Sequence, residues 1–171
     1  MEDYRRERQL LITVRAATTA DLDTVVALRL ALLREHRTNP LFERLHPDAE
    51  RRARDLYHSH LAASDQIILL AERDFEPLGI LRCVHAVSSP LLLPEAYAYL
   101  SSAYVVPGER RMGILKALFD EGVRWCEARG LSEFRLYVSI EDEVARSVWS
   151  SLGFAAVEEL RVHRLPRAGE E

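Results

Sequence analysis

Apolar residues recur along this chain with two periods, and the switches between them mark out the elements. Residues 10–15 carry a short apolar run that predicts a first strand. Thr18 and Asp21 make a capping-box-like start, with aspartate in the usual glutamate place. Leu22, Val25, Val26, Leu28, Leu32 and Leu33 follow at helical spacing. A polar break at residues 37–40 ends that helix in proline. Pro47 suits the first turn of a second helix, and Asp48 and Glu50 favour its N-terminus. Ala53, Leu56, Tyr57, His60 and Leu61 form its expected inner stripe.

Residues 66–72 read as a buried strand, 73–77 as a turn and 78–87 as the hairpin partner. A proline-bounded loop at 88–94 carries Leu91, Leu92 and Leu93; three consecutive loop leucines suit a cleft or a subunit contact. Residues 96–106 predict a long strand. Residues 113–129 predict the strongest helix, with Leu115, Leu118, Phe119, Gly122 and Cys126 on its inner face and Gly130 as its stop. Phe134, Leu136 and Val138 alternate with polar residues as a strand does. A short helix at 141–152 stops at Gly153, and 154–165 predict the last strand. The sum is a single α/β (α+β) domain over residues 1–171: a mixed, mostly antiparallel sheet of about six strands with about four helices on its faces. Residues 1–9 read as an N-terminal extension and 166–171 as a flexible tail.

Composition narrows the function. The chain has 171 residues, of which 48% are hydrophobic and 29% charged, and its formal net charge is -4. That balance lacks the broad cationic face that general nucleic-acid binding needs. The two cysteines, Cys83 and Cys126, fall in strand and helix patterns and read as reduced, buried thiols. The first nine residues lack a signal-peptide core, and no apolar run reaches membrane-spanning length. A cytoplasmic protein with no membrane partner is expected. No His, Cys or carboxylate cluster has convincing ligand spacing, so no metal is expected; His58 and His60, two apart on a helix, point in different directions.

Residues 105–119 carry the chemistry. An apolar strand runs through a basic turn into an amphipathic helix. Arg110, Arg111 and Lys116 gather where a helix presents unpaired N–H groups and its positive end. Cations there are unfavourable by a few tenths to about 1 kcal/mol each unless an anion is bound, so the turn reads as a phosphate site. Gly113 allows a close backbone approach. His85, Glu95 and Ser102 lie on or near the central strands as base candidates. His85 reads equally as a structural histidine and Glu95 as a solvated edge charge.

These elements and motifs resemble the GNAT-superfamily N-acetyltransferases, from residue 10 to residue 165. The family's acyl-CoA signature, Q/R-x-x-G-x-G/A, reads here Arg110-Arg111-Met112-Gly113-Ile114-Leu115; the last position departs from the pattern. Ala145, Trp149, Gly153 and Phe154 fall at a second family spacing, and residues 124–130 look like the end of the family's third helix. The resemblance implies acetyl-CoA as cofactor, with the diphosphate held at Arg110, Arg111, Met112, Gly113, Ile114, Leu115 and Lys116. It implies a bulged fourth strand splayed from the fifth, with the pantetheine arm in the gap on the backbone of Tyr104, Val105 and Val106. Trp149 stands where the family commonly has the tyrosine that protonates the leaving thiolate. An indole N–H can only donate a hydrogen bond, so Trp149 reads as packing beside the pantetheine, with Tyr104 and Tyr137 as replacement donors. Asp142 stands at a cofactor-contact position and also reads as a helix N-cap; Arg146 reads as a contact to the adenosine phosphate or as a solvated charge. The implied activity is acetyl transfer to a primary amine of a small molecule or peptide. A non-catalytic acyl-CoA-binding module is the alternative that the missing tyrosine motivates. The acceptor pocket is expected between the first two helices, the 88–95 loop and the start of the last strand, near His36, Arg37, Asn39, Phe42 and His46. A homodimer is compatible with Leu91 to Leu93.

Overall fold

The computed structural model describes residues 12–165, in two compact units divided between Tyr137 and Val138. The expected extension at 1–9 and tail at 166–171 lie outside the described residues, as do residues 10 and 11 of the first strand. The first unit is built on a five-stranded sheet with the strands in chain order. These are β1 (Thr13–Ala16), β2 (Gln66–Arg73), β3 (Glu76–Val87), β4 (Ala96–Val105) and β5 (Phe134–Leu136). The first four pair antiparallel, and β5 joins β4 in parallel. A parallel neighbour needs a crossover, and α3 (Ile114–Glu127) provides it. Two more helices, α1 (Leu22–Glu35) and α2 (Ala49–Ala62), lie between β1 and β2.

β2 is buried from Ile68 to Arg73, which is why its apolar residues form a continuous run rather than alternate. Its even positions, with Ile80 of β3, join Val25, Val26, Leu28, Leu30 and Tyr57 in the core under α1 and α2. Its odd positions face α3: Leu69 pairs with Leu81, and Leu81 and Cys83 lie against Gly122. Cys83 and Cys126 are free and buried, as expected. Burial pushes the Cys83 thiol up to about 12 and the Cys126 thiol up to about 11.

The capping motif at Thr18 is present. Asp21 accepts the Thr18 N–H at 2.7 Å, and Arg15 bonds both Asp21 and Glu72, at 2.7 and 2.6 Å. This clasp ties β1 to β2 and to the start of α1. The α2 stripe is narrower than expected: Ala53 and Tyr57 are buried, but Leu56 is exposed, because it lies on the shoulder of the helix. Trp125 of α3 joins the buried face, its ring under the Arg129 guanidinium at 4.0 Å. Gly130, at φ 69°, lets the chain leave the helix in the left-handed region.

The second unit holds α4 (Glu143–Ser151), begun by Asp142, whose carboxylate accepts the Ala145 N–H at 2.8 Å. The cap reading of Asp142 therefore stands. The expected last strand does not form. Residues 154–165 have no ladder partner among the described residues, and Val157, Leu160, Val162 and Leu165 are exposed. Alternation records which side chains share a face; it does not create the neighbouring edge that a strand needs. The sheet consequently has five strands rather than six.

Candidate functional site

β4 is bulged where it passes the centre of the sheet. Its pairing with β3 slips between Ile80 and Arg82, and Ser102 there has φ 54°. Two β4 residues then face one on β3, which bends the strand and frees part of its backbone. The Ser102 hydroxyl is buried and bonds Tyr57 Oη at 2.8 Å, fixing the bulge from α2. On the other side, β4 stays paired with β5 only as far as Leu100 and Leu136. β5 ends at Leu136, so among the described residues β4 has no ladder partner on that side from Ser101 to Val105.

The open backbone has a defined direction. Val106 N–H donates to Leu78 O at 2.9 Å, and Tyr104 pairs with Ile80. Both turn their backbone toward β3, so by strand alternation Val105 turns its N–H and C=O away from β3. Its carbonyl accepts Arg110 Nε at 3.0 Å.

A single 3₁₀ turn, Pro107–Glu109, then carries the chain to α3. Arg111 and Gly113 both have positive φ, 63° and 79°, and Gly113 caps α3 from the left-handed region. The first satisfied helical amide is Ala117 N–H, on Gly113 O at 2.9 Å. The N–H groups of Ile114, Leu115 and Lys116 have no intrahelical carbonyl, so they project from the helix start as a row of donors. That row and the helix dipole favour an anion at this position.

Two of its cations, Arg110 and Lys116, are paired within the protein. Arg110 is held by Glu35 of α1 at 2.6 Å as well as by Val105 O, and its guanidinium lies 5.7 Å from the Tyr104 ring centroid. Lys116 pairs with Asp120 at 2.6 Å. Arg111 is exposed and makes no ion pair among the described residues. The turn is also tied to the β2–β3 hairpin by Arg73 and Glu109, at 2.9 Å. Leu115 is half-buried and Ile114 fully buried, so the helix is seated by Ile114 and Leu118 against Gly79. A groove of about 490 Å³ opens beside this region, between Thr24, Ala27 and Ala31 of α1 and Pro77, Tyr104 and Val106.

The structure thus brings residues 104–116 together. Tyr104 is buried in the α1 and α2 core and lines the groove. Asp142, Arg146 and Trp149 lie in the second unit. Trp149 is buried and packs edge-to-face on Phe154, ring centroids 5.2 Å apart. Arg146 donates to Ile140 O at 3.1 Å. Among the base candidates Ser102 is committed to Tyr57, Glu95 is exposed and His85 is half-buried. Tyr137 is exposed, its ring 6.0 Å from that of Tyr99.

Sequence reading missed a polar group on the α2 side of the sheet. Arg82 donates to Gln66 Oε1 at 2.6 Å and to Ser101 Oγ at 3.3 Å, and meets His60 Nε2 at 3.4 Å. Burial lowers the pKa of both Arg82 and His60, and the Arg82 charge lowers His60 further. A charged residue inside the otherwise apolar stretch 78–87 was the available signal.

The chain matches the acetyltransferase (GNAT) family model over residues 30–154. It is 33% identical over 69 residues to an aminoglycoside N(6′)-acetyltransferase type 1 of Klebsiella aerogenes, covering 40% of this chain and 45% of that protein. It is 40% identical over 90 residues to a mycothiol acetyltransferase of Streptomyces avermitilis, covering 52% of this chain and 27% of that one. The chain therefore spans less than half the length of either curated relative. In structure it resembles a predicted acetyltransferase of Clostridium acetobutylicum solved with acetyl-CoA, with a TM-score of 0.74, 17% identity, and coverage of 90% and 96% of the two chains. No helix among the described residues is long and apolar enough to cross a membrane.

Proposed function

This chain belongs to the acetyltransferase (GNAT) family, and we propose that it transfers the acetyl group of acetyl-CoA to a primary amine of a small molecule. The observation that carries this is the helix start: projecting amides of residues 114–116 behind a left-handed Gly113, beside the end of β4, which has no ladder partner on the β5 side beyond Leu100 among the described residues. A diphosphate needs several converging donors, and an amide-bearing arm needs an unpaired strand edge. The chain offers the two side by side.

In this reading the amides from Gly113 to Lys116 hold the diphosphate, with Arg111 adding charge. Met112 shapes the turn. The outward N–H of Val105 receives the pantetheine arm. Arg110 acts by position: bound to Val105 O and Glu35, it sets the distance between strand end and turn. When bound, acetyl-CoA supplies a thioester carbonyl open to attack by an amine. Trp149 is a packing residue whose N–H can donate a hydrogen bond but not a usable proton. Asp142 caps its helix rather than contacting the cofactor, and Arg146 stays a solvated charge. The free, buried thiols fit a reducing compartment, and we place the protein in the cytoplasm, acting without nucleic acid or membrane.

A thiol-release assay with acetyl-CoA and a broad set of small amines tests the proposal. Turnover above the rate without enzyme is expected. Tight acetyl-CoA binding with no turnover would favour the non-catalytic module, and no binding would overturn the whole reading.

A further inference from the structure

The α1 and α2 side of the sheet has a dry end and a polar end. The dry end is the core around Ile80 and Tyr104. The polar end begins further along β3, at Arg82, and contains His60, Gln66, Tyr99, Ser101 and Arg29. It lies beside the β4 bulge: Arg82 is the register partner of Ser101, and Ser102 is the residue at positive φ.

The charges there do not balance. Arg82 is half-buried, yet each group it bonds is neutral: an amide oxygen, a hydroxyl and an imidazole nitrogen. Neutral His60 can accept from Arg82 at Nε2, which leaves its Nδ1 buried without a partner. Arg29 of α1 lies close enough for its charge to act on both Arg82 and Tyr99, and it makes no hydrogen bond or ion pair among the described residues. Asp65 acts on Arg82 and His60 without touching either. Sequestering a guanidinium from water without a counter-charge is costly, and a second like charge beside it adds to the cost. A ligand oxyanion would relieve both, and the planar guanidinium of Arg82 still has donors to offer a carboxylate fork.

We propose that this polar end is the acceptor subsite and that it selects amines that also bear a carboxylate, as amino acids and peptide ends do, with Arg82 pairing the carboxylate and Arg29 adding positive charge nearby. The inference rests on the acetyl-transfer reading above. It predicts that a polycationic aminosugar is a poor acceptor, because it would meet two like charges in a partly dry site.

The test uses matched acceptors: a set of L-amino acids and their carboxamides, with an aminoglycoside as the polycation, at saturating acetyl-CoA. The carboxylates should exceed their carboxamides in kcat/KM by about tenfold or more. Arg82→Gln should remove that preference by raising KM for the carboxylates alone, with acetyl-CoA affinity by isothermal titration unchanged. Arg82→Lys should restore part of it. Arg29→Gln, which removes no hydrogen bond or ion pair among the described residues, should act in the same direction and carries the test should Arg82→Gln fail to fold. A preference for carboxamides or for the aminoglycoside, or a carboxylate preference that survives both substitutions, overturns the inference. If acetyl-CoA binds but no amine turns over, the activity reading has failed separately. The inference is then decided by titrating the same acids and amides into CoA-loaded protein, where equal affinities contradict it.

Discussion

Gly79→Ala probes whether the sheet seats the helix start as closely as the structure indicates. A Cβ at Gly79 would lie 2.8 Å from Tyr104 O, 3.2 Å from Ile114 Cγ2 and 3.3 Å from Leu118 Cδ1. Restoring an ordinary C···O separation of about 3.3 Å requires a shift of about 0.5 Å. The obstructing atom is backbone, so no rotamer relieves it. Either β4 moves from β3 or the helix start is pushed away, and the second displaces the amides of residues 114–116. Overpacking of this kind costs about 1–3 kcal/mol. Reduced chain entropy in the unfolded state returns about 0.4–1 kcal/mol. The net loss should be about 1–2 kcal/mol, a fall of about 2–8 °C in Tm for a chain of this size. Acetyl-CoA affinity should weaken about threefold to tenfold, since reacting geometries tolerate little displacement. Gly108→Ala, where a Cβ meets nothing within 4 Å, is the control and should change stability by less than about 0.5 kcal/mol. Thermal melts and isothermal titration on the two variants read both effects. A Gly79→Ala protein that melts with the wild type and binds acetyl-CoA as tightly would refute the reasoning.

Three further outcomes follow. Arg15→Met should destabilise the protein by about 1–3 kcal/mol at neutral pH, through loss of the hydrogen bonds to Asp21 and Glu72. The Arg15 bonds hold Asp21 below the usual carboxylate range, against its partial burial, so its contribution is complete above about pH 4 and fades as pH falls further. Denaturation curves of wild type and variant should therefore converge in strong acid; a constant gap down to about pH 2 contradicts the clasp. Cys83 and Cys126, with burial-raised thiols, should not react with a thiol reagent at about pH 8 until the protein is unfolded, which also keeps the thiol-release background low. Rapid native labelling of either would show an open core. Tyr57→Phe strips the Ser102 hydroxyl of its buried partner and should cost about 1–3 kcal/mol, while Tyr57→Phe with Ser102→Ala should recover most of that loss in urea melts. No recovery in the double variant would mean that the bond does not anchor the bulge.

The order of elements was legible because each signal is local. The Thr18 and Asp21 motif, the apolar run of β2, the helix from residue 114 and the Gly130 stop are all written within a few positions. The turn between β4 and α3 was legible for the same reason: a strand, a glycine and a helix start are adjacent in sequence. What eluded sequence reading depends on distant residues. The Arg110 pair with Glu35 joins residues far apart along the chain, so no local signal announces it. Arg82, His60 and Gln66 come from three separate elements and meet only once the sheet is assembled. Leu56 has the spacing of an inward residue but lies just outside the contact arc of α2. Residues 154–165 have strand-like character but no partner edge among the described residues, and local character alone does not make a strand.

Backbone amide shifts on titration with CoA interrogate the helix start itself. The account predicts saturable perturbation concentrated at the amides of Gly113, Ile114, Leu115 and Lys116 and at Val105, with the diphosphate-free pantetheine moving Val105 alone. Binding that leaves residues 113–116 unperturbed, or perturbs them equally with and without the diphosphate, contradicts it.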